Sequence, residues 1–445
     1  MALIELLLIV IPIAANISYP TKFMKESSIL AASVEVILSI MISITIQGAG
    51  LFYVTKLTSI FIVMVSSIYL LSSIYSYKYF PGEVPEQSIR TYYFMSNFFV
   101  ASMMFSLMIN NYGLMWVGIE ATTVSSVLLI MIERSETSVE SAWRYLIIAS
   151  AGIGLAFISV ILIYYDFHTL SVTQILSMPN RISLLSHVIA VIALVGLGTK
   201  VGLFPLHTWL PDAHSESPPP VSALFSGVLV PTALYVLYMV YQIAPTVPFY
   251  AGFAVATIVA SSLFLSYQYR YKRMFAYSTM ENVSMALLGL ILGGVGVLGA
   301  SVLLISHSFA KSAAFYSSGN IFLKKRTKII GEITGIWSSM KATSASFLLS
   351  SLAVTGAPPF GIFVGEFIIL LRVASLHLYL IFGIVLFFLG ASFVAVNYNV
   401  TLMLFEGRDE GGDVGVTLRT IPLVAVLISL LIGIFVLVVM NSAIL

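Results

Sequence analysis

No cysteine occurs anywhere in the 445 residues. That excludes disulfides, thiol redox chemistry and iron–sulfur ligation by thiolates. If electrons drive this protein, another subunit carries them. Charge is the second scarcity: Asp, Glu, Lys and Arg make up 9% of the chain against 59% hydrophobic residues, too few to cover a soluble globule of this length. With a mean hydropathy of +1.03, the chain reads as an all-α integral membrane protein. A net charge of +2 offers no argument for nucleic acid, and none is expected as a partner. The segments between apolar runs show no metal-ligand spacing, nucleophile motif or phosphate loop.

What is present is a succession of apolar runs of about twenty residues, each long enough to cross a hydrocarbon core as a helix. They predict about fourteen transmembrane helices beginning near residues 2, 27, 51, 92, 113, 140, 183, 218, 248, 273, 297, 342, 376 and 418. No polar stretch is long enough for a separate soluble domain, so residues 1–445 read as a single polytopic domain. The first run, "MALIELLLIVIPIAANISYP", lacks a basic leader and carries Glu5, so it is expected to remain as a helix rather than be cleaved. Basic residues set the orientation. The loops after odd-numbered helices hold Lys22, Lys25, Lys78, Arg90, Arg134, Arg270 and the run Lys324 to Lys328, whereas those after even-numbered helices hold little beyond Arg181 and Arg372. The positive-inside rule then makes the odd loops cytoplasmic and turns both termini outward, in a cell (inner, cytoplasmic) membrane.

Of the charges left inside the helices, four stand out: Glu120, Lys200, Lys311 and Glu366. A charge within the span costs at least about 2.5–3.5 kcal/mol on insertion scales, so it normally faces protein or water and has a use there. Two of the four lie beside helix breakers. Pro205 frees the carbonyl of Val201, and Pro358 with Pro359 frees those of Val354 and Thr355. Both segments read as discontinuous helices, the seventh and the twelfth, and broken backbone at membrane depth marks a polar cavity. Lys200 sits near the C-terminal end of its half-helix, where the dipole favours a cation. Breaks five helices apart are what an inverted pair of five-helix repeats produces, since five is odd.

Such groups suit a proton relay. A buried lysine beside a carboxylate stays charged, and separated from it releases its proton. His307 and Lys311, four apart, share one helix face. The plainer reading, lysines that merely bind lipid or pair for structure, stays open. So does the choice between a surface and an ion-access role for His207 and His214. Glu35 lies in the second helix with no other mark in its neighbourhood. His168 and His377 read as loop or helix-end residues, and "KKRTK" at 324–328 as a topology anchor.

Four motifs, "KVGLFPLHTWLPDAHSESPPPVSAL", "RYKRMFAYSTMENVSMALLGL", "SHSFAKSAAFYSSGNI" and "GAPPFGIFVGEF", occur in one order. Together they resemble the antiporter-like membrane subunits of respiratory complex I, Mrp-type sodium/proton antiporters and energy-converting nickel-iron hydrogenases. The resemblance covers about residues 90 to 405. It implies fourteen helices, with helices 1–3 in residues 1–90, a first five-helix repeat in 91–242, an inverted second in 248–405 and helix 14 in 418–443. It also implies a relay of Glu120, Lys200, His307, Lys311 and Glu366, with His207, His214 and Glu281 in access or linking roles. "VGIEATTVSS" and "AYSTMEN" are most similar to the F-type subunit of hydrogenase-4. One departure stands out: Pro231 occupies a position where many relatives carry a lysine.

These readings converge on a proton-translocating subunit of a membrane-bound redox complex. Its expected partners are other membrane subunits, a peripheral redox module, lipid and protons. The chain is expected to bind no cofactor itself, with a nickel–iron centre and iron–sulfur clusters in partner subunits. A complex I or Mrp-like subunit that also moves Na+ is the alternative within the class. A non-conducting membrane scaffold is the alternative outside it.

Overall fold

The computed structural model describes residues 2–17, 21–45, 50–80, 84–179 and 183–444; Arg181, counted above in the loop charges, lies outside them. The described residues are mainly helical, and beyond two isolated bridges, Phe52 with Ile109 and Arg270 with Ile329, no strand occurs among them. It divides into two units, one of residues up to Val221 with Val228–Phe249, the other of Ser222–Gly227 with Tyr250–Leu445.

The first unit runs through α1 (Ala2–Ala15), α2 (Thr21–Thr45), α3 (Lys56–Tyr79), α4 (Glu86–Met108), α5 (Tyr112–Ile130), α6 (Glu136–Phe167), α7 (Val172–Ser177), α8 (Leu184–Val201) and α9 (Trp209–Glu216). Polar caps open several of these helices. Thr55 and Ser183 form capping boxes before α3 and α8, and the side chains of Asn111 and Ser135 accept from the first turns of α5 and α6. Helices α1 to α4 pack on one another, and α4, α5, α6 and α8 follow in a row. Next come α10 (Pro219–Leu224), a single π-helical turn at Phe225–Leu229, and α11 (Val230–Ile243), which packs on α8.

The second unit contains most of α12 (Val247–Ser266), then α13 (Tyr271–Leu292), α14 (Val295–Lys325), α15 (Ile336–Ser339), α16 (Lys341–Val354), α17 (Gly361–Ser375), α18 (Tyr379–Phe405) and α19 (Val416–Ile444). Helix α14 is its hub, touching α13, α16, α17 and α19. Apolarity all round a helix means either deep burial or a lipid face. Both occur: α13 is buried along its whole length, while α18 turns Leu380, Phe387, Val394 and Tyr398 outward.

Each of the fourteen expected starts falls within six residues of a helix start. Among the described residues, eleven helices are long and apolar enough to cross a membrane. The remaining starts are the shorter α1, the more polar α4, which carries Glu86, Arg90 and Ser88, Ser96, Ser102 and Ser106 along its length, and the divided α16–α17.

Both expected breaks are present and are built alike. Helix α8 stops at Gly202, whose φ of 82° suits glycine; Leu203 N–H reaches back to the Gly198 carbonyl and Gly202 N–H to that of Thr199, a Schellman pattern. At the end of α16, Gly356 has φ 71°, Ala357 N–H bonds the Leu352 carbonyl and Gly356 N–H that of Ala353. One turn on, Leu206 N–H bonds Leu203 O and Phe360 N–H bonds Ala357 O. Gly202, Leu203, Pro205 and Leu206 thus match Gly356, Ala357, Pro359 and Phe360 at a constant offset in sequence.

Candidate functional site

In the first unit, α8 delivers Lys200 at its C-terminal turn, fully buried. Its ammonium donates to Thr123 Oγ1 of α5 at 2.8 Å and to the Tyr145 hydroxyl of α6 at 2.5 Å, and lies 4.9 Å from the centre of the Tyr145 ring. Tyr145 in turn bonds Ser126 Oγ at 2.7 Å and packs on Trp209, whose indole N–H donates to the Thr199 carbonyl. Close approach of α6 and α8 makes this possible. A Cβ at Gly152 would lie 2.5 Å from Thr199 Cβ, and one at Gly196 would lie 2.4 Å from the Ala156 nitrogen.

Glu120 stands one turn before Thr123, within electrostatic range of Lys200 and within reach of the Thr123 hydroxyl. Unlike Lys200 it is only half-buried, and no ion pair within 4 Å joins the two. The lysine therefore rests on neutral oxygens, with the carboxylate one hydroxyl away.

The second unit repeats that arrangement with different residues. Lys311 of α14 is fully buried and donates to the Phe275 carbonyl at 2.9 Å and Ser278 Oγ at 2.7 Å, both on α13. Glu281, one turn after Ser278, interacts electrostatically with Lys311 but makes no ion pair with it; its Oε1 accepts from Ser392 of α18 at 2.6 Å. Glu366 of α17 feels the charge of Glu281. It borders a cavity of about 270 Å³ that is also lined by Thr355, Gly356, Phe363 and Phe393. Gly356 has no room for a side chain there: its Cβ would fall 2.2 Å from Glu366 Oε2.

His307, one turn before Lys311, is fully buried. Its Nδ1 lies 3.2 Å from Asn282 Nδ2 and its Nε2 3.2 Å from the Ser226 carbonyl. A neutral ring protonated on Nε2 satisfies both contacts. Asn282 also donates to the Val354 carbonyl at 3.0 Å, one of the two that the prolines were expected to free.

Pro231 also shapes this site. It has no N–H for the Gly227 carbonyl, which instead accepts from Ser308 Oγ at 2.6 Å, and the preceding π turn leaves the Ser226 carbonyl for His307.

The sequence reading named the charged groups but not what holds them. Thr123, Tyr145, Ser278, Asn282 and Ser392 are uncharged residues in helix interiors, and nothing in one sequence sets them apart from structural hydroxyls and amides. Asn282, next to Glu281 in "AYSTMEN", was the most accessible signal. His207 and His214, expected near a cytoplasmic loop, are buried, His214 within α9. The same short helix carries Asp212, paired with Arg144 at 2.7 Å, and Glu216, which accepts from Thr137 at 3.0 Å. His168 and His377 do lie at helix ends, both with positive φ.

Residues 109–393 match the family described as NADH:quinone oxidoreductase/Mrp antiporter, transmembrane. The chain is 34% identical over 342 residues to a hydrogenase-4 component F homolog of Methylacidiphilum infernorum, covering 72% of each protein. It is 30% identical over 331 residues to hydrogenase-4 component B of Escherichia coli, covering 70% of this chain and 49% of that protein; the chain thus spans about half the length of that second relative. In fold it resembles a chain of the membrane-bound sulfane sulfur reductase, an archaeal respiratory membrane complex, with TM-score 0.89 and 21% identity over 99% of this chain and 95% of the other. A chain of the Mrp complex from Dietzia sp. gives TM-score 0.90 at 16% identity, covering 99% and 96%.

Proposed function

Because the chain belongs to the NADH:quinone oxidoreductase/Mrp antiporter transmembrane family, we propose that it is the proton-translocating subunit of a hydrogenase-4-type membrane complex, with its proton-binding groups in two sites, one in each unit. That it is a membrane-embedded, antiporter-like subunit follows from the family itself. The hydrogenase-4 type is favoured by the component F homolog among its relatives. In this proposal the nickel–iron centre and iron–sulfur clusters belong to partner subunits of a peripheral redox module.

One observation carries the relay. Lys200 and Lys311 are each fully buried on neutral oxygens, with a glutamate within electrostatic range but not in contact. A lysine clamped to a carboxylate keeps its proton, and one with no acid nearby has no reason to take it. A lysine one hydroxyl away from its acid exchanges the proton for a small change of distance. In the first unit Thr123 spans that gap one turn after Glu120; in the second Lys311 donates to Ser278, one turn before Glu281, while Glu281 itself accepts from Ser392. His307, neutral and hydrogen-bonded at both ring nitrogens, and Glu366 at its cavity extend the second site.

The matched backbone of the two breaks supports a pair of inverted five-helix repeats within fourteen helices. The clustering of basic residues in alternate loops supports an inner-membrane orientation with both termini outward.

The test is proton uptake by sealed vesicles containing the whole complex, normalised to redox turnover. Lys200→Met is expected to abolish translocation in an assembled complex. Wild-type coupling in that variant would make Lys200 a structural charge and favour a scaffold role.

A further inference from the structure

Glu35 belongs to neither lysine site. It lies on α2 about 21 Å from the first residue of that helix at 1.5 Å per residue, is 0% exposed, and neither carboxyl oxygen has a hydrogen-bond partner among the described residues. The titratable group shown in electrostatic reach of it is Tyr69 from α3, which in turn lies in reach of Tyr92 and Tyr93 from α4; Glu5 of α1 is also buried in this unit. No buried cation faces it: Lys22, Lys25, Lys56, Lys78 and Arg90 all sit at helix ends. A membrane tolerates a lone carboxylate poorly, and no group of residues able to hold a metal ion occurs among the described residues. The small cation that fits is a proton.

A file of polar groups leads to it from one side. Ser66 Oγ donates to Ser39 Oγ at 2.8 Å, which sets the antiparallel register of α2 and α3 and brings Tyr69 level with Glu35. The Tyr69 hydroxyl donates to Asn97 Oδ1 at 2.6 Å, and Asn97 Nδ2 donates to Ser28 Oγ at 3.0 Å and Asn16 Oδ1 at 2.8 Å. One turn further on α4, the Tyr93 hydroxyl meets Ser76 Oγ at 3.1 Å. This leads to the basic end, where Lys25 and Lys78 flank Tyr77. Past Ser39 and Ser66 the next buried positions of α2 and α3 are mainly apolar, Ile42, Phe61, Ile62 and Val65, with Thr58 and Ser59 nearer the far end of α3.

We infer that Glu35 is a proton-loading site with access from the basic face alone, through Tyr93, Ser76, Asn97 and Tyr69. Loading is a transfer from hydronium to the carboxylate, giving the neutral acid and water, and unloading returns by the same route. The inference does not depend on the lysine relay.

The test uses the whole complex in oriented lipid vesicles, treated with dicyclohexylcarbodiimide, which modifies protonated carboxyl groups in apolar surroundings, and read by mass spectrometry of the peptide containing Glu35. Modification of Glu35 should fall about tenfold per pH unit above the midpoint, as for any one-proton site, when pH is raised on the basic face. It should be unmoved by pH on the opposite face. Asn97→Leu should slow the response by interrupting the polar file, and Lys200→Met should leave it unchanged. In infrared pH-difference spectra the carboxylic acid band should be lost in Glu35→Gln. If that variant does not assemble, labelling of the wild type decides alone. Absence of modification, or modification indifferent to pH on the basic face, would make Glu35 a structural carboxyl and overturn the proposal.

Discussion

Lys200 and Lys311 differ in how much is left stranded when each is removed. Glu281 is 2% exposed, whereas Glu120 is only half-buried. Breaking a buried pair by deleting one member costs roughly 3–5 kcal/mol, so Lys311→Met is expected to lose stability on that order, and Lys200→Met less. Thermal melting of the purified complex in detergent checks this. Adding Glu281→Gln to Lys311→Met removes the stranded charge and should restore the melting temperature without restoring proton uptake. A Lys311→Met complex as stable as the wild type would show that Glu281 was never paying for burial through its lysine. Tyr145 provides a subtler check. Tyr145→Phe deletes one of two acceptors of the Lys200 ammonium and should slow proton uptake more than it lowers assembly.

At the scale of elements, the two breaks share a backbone but not a tolerance. A residue other than glycine at positive φ costs about 1–2 kcal/mol, and both Gly202 and Gly356 have positive φ. Their surroundings differ. A Cβ at Gly202 would meet Leu210 Cδ1 at 2.6 Å, the mobile end of a side chain, whereas at Gly356 it would meet the Glu366 carboxyl at 2.2 Å. Gly202→Ala is therefore expected to lower stability by about that backbone cost and keep proton uptake, and Gly356→Ala to displace Glu366 and impair uptake in assembled complexes. Equal effects on uptake would remove Glu366 from the relay.

The "KKRTK" segment proves to be more than a topology marker. Lys325 pairs with Asp409 in the loop between α18 and α19, and Ser339 Oγ donates to the same carboxylate. Burial raises the Asp409 pKa, but the hydrogen bonds from Lys325 and Ser339 outweigh it and leave the group below its ordinary 3.8. A depressed carboxylate stabilises the fold fully above its unfolded value and loses that contribution as pH falls through the folded one. The latch should thus hold at neutral pH and open only below about pH 3.8, whereas Asp409→Asn should open it at neutral pH. Limited proteolysis after Lys324 to Lys328 reads the difference.

For the whole molecule, the orientation proposal is tested by single cysteines introduced into a chain with none of its own. Cysteines near residues 111, 245 and 295 should be labelled from outside the cell, and one at Lys325 only from inside. Outward labelling at position 325 would reverse the topology and with it the side from which Glu35 is loaded.

Composition and periodicity alone determined that the chain is a helical membrane protein, where its helices begin, and that two of them break at Pro205 and at Pro358–Pro359. Lipid makes those signals strong: every exposed polar group is costly there, so a charge or a proline within an apolar run stands out. The same physics picked out Glu120, Lys200, Lys311 and Glu366. Burial of Glu281 against Ser392, the Asn282 bridge between His307 and Val354, and the carbonyls opened by the π turn and Pro231 were decided only in three dimensions. Glu35 shows why. The polar residues near it come from α3 and α4 as tyrosine, serine and asparagine, residues common in any helix, and only the packing of antiparallel helices at one register brings Tyr69 level with the carboxyl group. A sequence records which groups are costly to bury. Which neighbours offset that cost depends on helix register and rotation, which are set by contacts far apart in the chain.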